Sequence, residues 1–345
     1  MALSILRTLH MWLRPSIIAL FDPKIPWYLR WRTLCFQPVS LITYTIGIFP
    51  YLFSQEFTVE YLPISDDRSI RALVFRSSDG KGKGRKLRPL HVEVHGGAFI
   101  GGLAESNAAF DECVAKETGA VVVSITYRFA PEHGFPAAID DVDATIRWIQ
   151  ENAVNRWGAD PELMTVGGFS AGGHLVVAAS QQERCHAPSS IAFKASVTFY
   201  APLDLRVRPI DKPRPESFPK QDPLAFLLPL FDAYAIAARA KHMQDPRLNP
   251  TLTNRETLPE RMLLIVPLID ILVSEQMAFA ERVNEEDKRD GMKHRVEVMT
   301  EKEGFHGYLE APDFAVKREV KDRAFTRGVE FLRETYARYG WAWEY

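Results

Sequence analysis

One short run limits most strongly what this chain can fold into: TVGGFSAGGHL, from Thr165 to Leu175. An apolar, strand-like stretch precedes it, a helix-forming stretch follows it, and Gly168, Ser170 and Gly172 form a G-x-S-x-G pattern between them. At such a strand-to-helix turn the serine hydroxyl is exposed above a sheet, and the glycines leave room for the strained backbone. Because small residues cluster in many loops, the pattern needs partners elsewhere in the chain.

Strand-like and helix-like segments alternate along the sequence. The strand-like segments are 57–62, 70–75, 90–94, 120–126, 164–166, 195–200, 262–266 and 295–299, and helical patterns fall at 104–118 and 137–152. The run AVVVSIT at 120–126 is continuously apolar, which is typical of a parallel strand covered on both faces. The first two segments favour an antiparallel start. The alternation predicts an α/β protein with a mostly parallel, doubly wound sheet.

The N-terminal residues 1–55 stand apart from this alternation. Residues 36–53 carry no charge but are interrupted by Pro38, Gly47 and Pro50, and they are barely long enough to span a bilayer. No A-x-A-like cleavage site supports a secretory signal. We expect a lid over an apolar pocket, with a membrane-associated segment as the alternative, because Trp12, Trp27 and nearby aromatic residues suit either role.

A second irregular stretch, residues 205–260, interrupts the later strands. Its first part is rich in proline and charge, and its second part, 224–243, is predicted to be an apolar helix. An insertion of this length between strands is expected to complete the cap. The predicted organisation is an N-terminal cap at 1–55 and a catalytic domain at 56–340 that carries the insertion 205–260.

Composition excludes several classes of function. The formal net charge of the 345 residues is −2, which argues against nucleic acid as a partner. The basic cluster KGKGRK at 81–86 is interpreted as a solvated loop tip. Three widely spaced cysteines match neither a disulfide framework nor a zinc site, which favours a reducing, cytoplasmic compartment. Cys113 lies in a helical pattern and is expected to be an inert, buried thiol.

A serine nucleophile needs a base, and the base needs an orienting acid. Asp270 ends the apolar run MLLIVPLID, where a strand would deliver a carboxylate to the edge of the sheet. His306, among nine histidines, follows a later strand between two glycines. Asp204 and Glu275 remain alternatives for the acid.

The negative oxygen of a tetrahedral intermediate needs preorganised donors. The backbone N–H groups of Gly96 and Gly97 follow a strand, and that of Ala171 follows the serine, so these three are the candidate donors. His95 is expected to hold the loop by hydrogen bonds. Neither a G-K-[ST] nor a G-x-G-x-x-G pattern follows, which argues against a nucleotide site.

Several motifs occur in one order. They are HGGAFIGG at 95–102, YRFAPEHGFPAAIDD at 127–141, GFSAGG at 168–173, DPRLNP at 245–250, Asp270-x-Leu272 and His306. Together they resemble the hormone-sensitive-lipase-like family, which includes arylacetamide-deacetylase-like enzymes and plant carboxylesterases. The resemblance implies an α/β-hydrolase fold with a mostly parallel eight-stranded sheet, helices on both faces and a helical cap. It also implies the roles of nucleophile for Ser170, acid for Asp270, base for His306 and oxyanion donors for Gly96, Gly97 and Ala171.

The chain departs from the family pattern beside the nucleophile. Phe169 stands where the family usually has an acid, Ala98 replaces a third glycine, and the second acid of D-x-L-x-D is missing. We expect Phe169 to alter the wall beside Ser170 and so the choice of substrate. The predicted activity is hydrolysis of a small, apolar carboxylic ester, with no metal or organic cofactor. Acyl transfer, amide or lactone cleavage, and ligand binding without catalysis are the alternatives, and His306 argues against the last.

Overall fold

The computed structural model describes residues 2–48, 51, 56–78, 80–220, 222 and 225–344. Its strands are β1 (Phe57–Ser65), β2 (Arg68–Phe75), β3 (Lys81–Lys83), β4 (Arg88–Val94), β5 (Val121–Ile125), β6 (Ala159–Phe169), β7 (Ala195–Phe199), β8 (Met262–Ile269), β9 (Val296–Phe305) and β10 (Ala342–Glu344). Its α-helices are α1 (Ala2–Phe21), α2 (Trp27–Ile48), α3 (Ala108–Thr118), α4 (Ala137–Trp157), α5 (Ala171–Ala179), α6 (Leu228–Phe231), α7 (Val273–Arg289) and α8 (Arg318–Arg338).

Eight of the strands form one sheet in the order β1-β2-β5-β4-β6-β7-β8-β9. The pairs β1–β2 and β2–β5 are antiparallel, and all later pairs in this sheet are parallel. The antiparallel start and the mostly parallel, eight-stranded sheet are therefore confirmed. In the parallel part, the carboxyl ends of β4, β6, β8 and β9 meet at one edge of the sheet, which is where ligands bind in open α/β folds.

Helices cover both faces of the sheet because the central strands are apolar on both sides. In β5 all five residues are buried. Val121 and Val123 belong to the core layer that contains Ile146 of α4, whereas Val122 belongs to the layer that contains Phe110 of α3. Alternate residues of a strand point to opposite faces, so a continuously apolar strand supplies two cores at once.

The predicted helix at 224–243 is wrong in extent. Leu224 lies outside the described residues, Ala225–Leu227 is a 3-10 turn, and only Leu228–Phe231 is α-helical. Turns follow, and tertiary contacts explain them: the Tyr234 carbonyl accepts a hydrogen bond from the distant Phe135 N–H at 2.9 Å. The Tyr234 ring also stacks on Phe99, with centroids 4.2 Å apart. Packing has overridden helix propensity here.

The basic run at 81–86 is also more ordered than a loop tip. Its first three residues form β3, which pairs in antiparallel register with β10 near the C-terminal end of the described chain. The side chains of β3 are exposed, so the expectation that the run is solvated holds. The pairing joins segments far apart in sequence, which local pattern alone cannot anticipate.

Helices α1 and α2 pack against each other, and both line a cavity at the carboxyl edge of the sheet. The Gln37 side chain donates to the Trp12 carbonyl at 3.0 Å, and Arg14 of α1 forms an ion pair with Glu132 at 2.8 Å. Within the described residues, neither helix, nor any other, is long and apolar enough to cross a membrane. The segment 36–53 and the boundary proposed at residue 55 extend into residues outside the described ranges.

Candidate active site

Ser170 occupies the sharp turn between β6 and α5. Its backbone has φ 48° and ψ −117°, a conformation that costs a residue with a side chain on the order of 1–3 kcal/mol. Gly172 is required because a Cβ atom there would lie 1.8 Å from the Val94 carbonyl oxygen. The Ser170 N–H donates to the Phe199 carbonyl at 2.8 Å, which fixes the turn to β7. The local sequence therefore builds the turn that the G-x-S-x-G pattern predicts.

The three residues predicted as acid, base and nucleophile lie in a line of hydrogen bonds. His306 Nε2 lies 2.9 Å from Ser170 Oγ, and His306 Nδ1 lies 2.8 Å from Asp270 Oδ2. Asp270 Oδ1 in turn accepts the Leu272 N–H at 3.0 Å. In the tautomer that satisfies every contact, Nδ1–H donates to Asp270 and Nε2 accepts from the serine hydroxyl. This tautomer allows the imidazole to remove the serine proton.

The sheet itself brings the acid and the base together. Ile269 at the end of β8 is the register partner of Phe305 at the end of β9. Asp270 and His306 are the next residues of their strands, so they leave the same edge of the sheet as neighbours. Two residues 36 positions apart in sequence are thereby placed in contact by strand pairing.

The electrostatic environment of His306 is set by two opposing effects. Burial is the largest single effect and disfavours the imidazolium, but the charge and hydrogen bond of Asp270, together with the charges of Glu310 and Glu275, outweigh it. The net result raises the pKa of His306 above its ordinary value of 6.5. The side chain is still 44% exposed, on the side that faces the cavity.

The two alternative acids are engaged elsewhere. Asp204 accepts hydrogen bonds from the guanidinium of Arg206, at 2.9 and 2.7 Å. Glu275 accepts the Leu203 N–H at 2.7 Å and forms an ion pair with Lys212. Of the three candidates, only Asp270 bonds to His306.

The glycine-rich loop after β4 lies directly against the serine. An ideal Cβ on Gly96 would be 3.4 Å from the Ser170 Cβ, so the peptide there is in contact with the nucleophile. Gly97 has φ +119°, which a residue with a side chain rarely adopts. Ala171 is the first residue of α5, where backbone N–H groups have no partner within the helix. Gly96 therefore lies against Ser170 and Ala171 directly follows it, whereas the role of Gly96, Gly97 and Ala171 as oxyanion donors stays a prediction.

His95 supports this loop from below. Its Nδ1 lies 2.6 Å from the Gly96 carbonyl oxygen, and its ring stacks on Tyr127 with centroids 4.7 Å apart. Burial lowers the pKa of His95 to about 4, so the ring is neutral at physiological pH. It is a structural donor rather than a second base.

A cavity of about 220 Å³ opens above the serine. Its floor contains Ser170, His306, Gly96 and Gly97. Its other lining residues include Pro15, Thr33, Phe36, Gln37 and Ser40 from the N-terminal helices, Leu230 from the insertion, and Ser106, Tyr200, Gly307 and Glu310. The N-terminal helices therefore contribute more of the wall than the insertion does.

Phe169 is not part of that wall. Its side chain is 1% exposed, and it packs between the rings of Phe199 and Phe110, at 4.1 and 5.9 Å between centroids. The expectation that Phe169 shapes the substrate pocket is wrong, because Phe169, the last residue of β6, points its side chain into the core layer that contains Phe199.

Tyr200 and Glu310 are cavity residues that sequence reasoning did not single out. The Tyr200 hydroxyl donates to Glu310 Oε2 at 2.7 Å, and the Tyr200 ring lies 5.2 Å from that of His306. A signal was present for Glu310, because it follows His306 by four residues on the same loop.

Comparison with known proteins is consistent with this geometry. The family model described as "alpha/beta hydrolase fold" matches residues 91–310. The chain is 30% identical to Arylacetamide deacetylase-like 2 of Homo sapiens over 179 residues, which are 50% of this chain and 44% of that protein. It is 41% identical to Carboxylesterase NlhH of Mycobacterium tuberculosis over 96 residues, 28% of this chain and 30% of that protein. The matched segments span less than half of either relative.

Among solved structures, the fold is similar to that of an esterase from Pyrobaculum calidifontis. The TM-score is 0.69 at 26% identity, over 92% of this chain and 95% of that one. The family model covers more than half of the chain, and its span contains Ser170, Asp270 and His306. The chain belongs to the α/β-hydrolase-fold family, as its resemblance to the hormone-sensitive-lipase-like enzymes predicted.

Proposed function

We propose that the chain is a carboxylic ester hydrolase that works through Ser170, His306 and Asp270. The observation that carries the proposal is the continuous line of hydrogen bonds from Asp270 through His306 to Ser170, at the floor of a cavity. The hydrolases and esterases among its relatives support the same chemistry.

In the first half of the reaction, Ser170 Oγ attacks the ester carbonyl while His306 Nε2 takes the hydroxyl proton. The carbonyl oxygen becomes an oxyanion, which the N–H groups of Gly96, Gly97 and Ala171 would stabilise. Collapse of this intermediate breaks the bond to the alcohol oxygen, which leaves with the proton held by His306. An acyl group remains on Ser170.

In the second half, water replaces the alcohol. His306 takes a proton from the water as it attacks the acyl carbonyl, and a second oxyanion forms in the same place. Collapse releases the carboxylic acid and returns the proton to Ser170. Asp270 stabilises the imidazolium at both stages and keeps Nδ1 protonated.

The cavity supports a small ester with an apolar acyl portion as substrate. Phe36, Ile100 and Leu230 supply apolar surface, and the volume of about 220 Å³ fits a short acyl chain better than a long one. We propose that residues 1–55 and 205–260 together act as the cap, since both contribute side chains to this wall.

The direct test is turnover of p-nitrophenyl esters of rising chain length, with an amide and a lactone alongside. Ser170→Ala should abolish turnover, and Ser190→Ala, an exposed serine outside the cavity, is the matched control. A fluorophosphonate should phosphonylate the wild type with release of fluoride, seen as the mass of the phosphonyl group, and should leave Ser170→Ala unmodified. Full activity in Ser170→Ala would refute the proposal, whereas acyl transfer to an added alcohol in preference to water would indicate a transferase.

We also propose that the α1–α2 hairpin touches a lipid surface. Phe21 and Trp27, on either side of the turn between these helices, are 77% and 74% exposed, and Ile42 of α2 is 61% exposed. Exposed aromatic and aliphatic side chains of this kind insert at the bilayer interface without spanning it.

Sedimentation with phosphatidylcholine–phosphatidylserine vesicles tests this contact. The double variant Phe21→Ser, Trp27→Ser should sediment several-fold less than the wild type. Phe314→Ser, which removes a 92% exposed aromatic outside these helices, is the control. Equal sedimentation of all three proteins would exclude the hairpin as the lipid contact.

A further inference from the structure

Glu310 places a carboxylate in the wall of the cavity beside the proposed base. It lines the same space as Ser170 and His306. An ideal Cβ on Gly307 would be 3.7 Å from Glu310 Oε2, so the carboxylate lies against the backbone that directly follows His306. Oε2 accepts the Tyr200 hydroxyl at 2.7 Å, which fixes the orientation of the carboxyl group.

No cationic side chain in the described cavity wall is free to act as the counter-ion of this carboxylate. The described lining residues include no lysine or arginine, and their only other groups that ionise are His306 and the Tyr200 phenol. Protonated His306 and, from outside the cavity, Lys321 favour the ionised form, but His306 is paired with Asp270 and the Lys321 ammonium with Asp313. A carboxylate has about four acceptor positions; the Tyr200 hydroxyl fills one and the backbone N–H of Glu310 itself fills another, which leaves about two. Burial raises the pKa of Glu310, because a carboxylate without a counter-ion is costly in such surroundings.

The reaction places one part of the substrate against this wall. His306 Nε2 must reach the alcohol oxygen to protonate it as it leaves, so the alcohol portion of an ester lies beside His306. Glu310 follows on the same loop. A cation a few bonds beyond the ester oxygen would therefore meet the open lone pairs of the carboxylate.

We infer that Glu310 is a specificity-determining residue that binds a protonated amine on the alcohol portion of the ester. The inference rests on the proposed hydrolase function and adds a substrate class to it. An ammonium donates charge-assisted hydrogen bonds to the carboxylate and supplies the counter-ion that the cavity lacks. A neutral ester of the same shape forms no charge-assisted hydrogen bond to Glu310 and supplies no counter-ion.

The alternative is that Glu310 only holds Tyr200 and the His306 loop in place. That role would change the turnover of every ester by the same factor. If Glu310 instead recognises charge, its substitution would change the turnover of the charged ester only. A charged and a neutral ester of the same shape therefore distinguish the two roles.

The experiment uses 2-(dimethylamino)ethyl acetate, protonated near neutral pH, and its neutral isostere 3-methylbutyl acetate. The measured quantity is the ratio of their kcat/KM values in the wild type, in Glu310→Gln and in Glu303→Gln. Glu303 is an exposed acid before His306 that does not line the cavity, so its variant controls for the loss of one negative charge.

We expect the ratio to favour the amine ester in the wild type and to fall about tenfold or more in Glu310→Gln, mainly through KM, as the loss of a hydrogen bond to a charged group implies. In Glu303→Gln the ratio should stay within about twofold, since exposed charges interact weakly. Equal losses for both esters in Glu310→Gln, or an unchanged ratio, would overturn the inference.

Binding by calorimetry in a Ser170→Ala background separates this inference from the proposed function. In that background the two esters bind without being cleaved. A lower Kd for the amine ester than for the neutral one, with no such difference after Glu310→Gln, would support the amine site independently of turnover. Failure of the wild type to hydrolyse either ester, or p-nitrophenyl acetate, would count against the hydrolase alone. Equal Kd values for the two esters would overturn the amine site alone.

Discussion

The ring of Phe169 stacks on that of Phe199 at 4.1 Å between centroids, immediately beneath the backbone of Ser170. Phe169 thus supports the strained turn from the core, and it does not touch the cavity. The position at which the chain departs most visibly from its family is therefore a packing position.

Replacing Phe169 should reduce stability and leave substrate preference alone. Phe169→Ala should lower the free energy of unfolding by about 3–5 kcal/mol, as removal of a fully buried ring does, and Phe169→Leu should lose less. Urea unfolding measures the first effect, and the ratio of rates on short and long p-nitrophenyl esters measures the second. A changed chain-length preference with normal stability would contradict this placement.

Asp270→Asn should slow ester cleavage by a factor of about 10³–10⁴, because an amide neither stabilises the imidazolium nor enforces the Nδ1–H tautomer. The matched control is Asp204→Asn, whose carboxylate bonds to Arg206 and not to His306. Initial rates on p-nitrophenyl acetate provide the measurement. A loss in Asp204→Asn as large as that in Asp270→Asn would mean that the acid is misassigned.

The pH profile should report the raised pKa of His306. Only neutral imidazole accepts the serine proton, so kcat/KM should rise with pH and level off above the pKa of His306 in the free enzyme. Burial lowers that pKa, and Asp270 together with Glu310 and Glu275 raises it more, so the inflection should lie above the ordinary value of 6.5. In Asp270→Asn it should move to lower pH. An unmoved inflection would show that another group controls the profile.

A buried acidic pair should make stability depend on pH. Burial raises the pKa of both Glu93 and Asp111 well above ordinary carboxyl values, and the charge of Asp111 raises that of Glu93 further. The folded state then holds more protons than the unfolded state, so stability is greatest below ordinary carboxyl pKa values and falls as pH rises toward the folded ones.

Asp111→Asn should therefore flatten the decline in stability above pH 5. The measurement is the free energy of unfolding in urea at successive pH values, with Asp322→Asn on the exposed face of α8 as control. The same slope in wild type and Asp111→Asn would exclude this pair as its source.

Much of the fold follows from local pattern. The continuous apolar run in β5 and the glycines around Ser170 dictate a buried parallel strand and a sharp turn wherever the chain places them. The sequence pattern also predicted Asp270 and His306 as candidate site residues, because polar residues that follow apolar strands lie at the carboxyl edge of a parallel sheet.

Other features depended on contacts between distant parts of the chain. Local propensity favoured a helix at 224–243, but the Tyr234 carbonyl bonds to Phe135 instead. The exposed β3 became a strand only because β10 pairs with it.

The sequence by itself determined the chain order of the eight strands of the main sheet, the turn at Ser170 and the choice of His306 as candidate base. Only the tertiary structure decided which acid meets His306, that Phe169 packs in the core, and that Glu310 faces the cavity. The physical reason is that periodicity and turn chemistry are local, whereas the direction of a side chain and its partners depend on strand register and on packing between segments far apart in sequence.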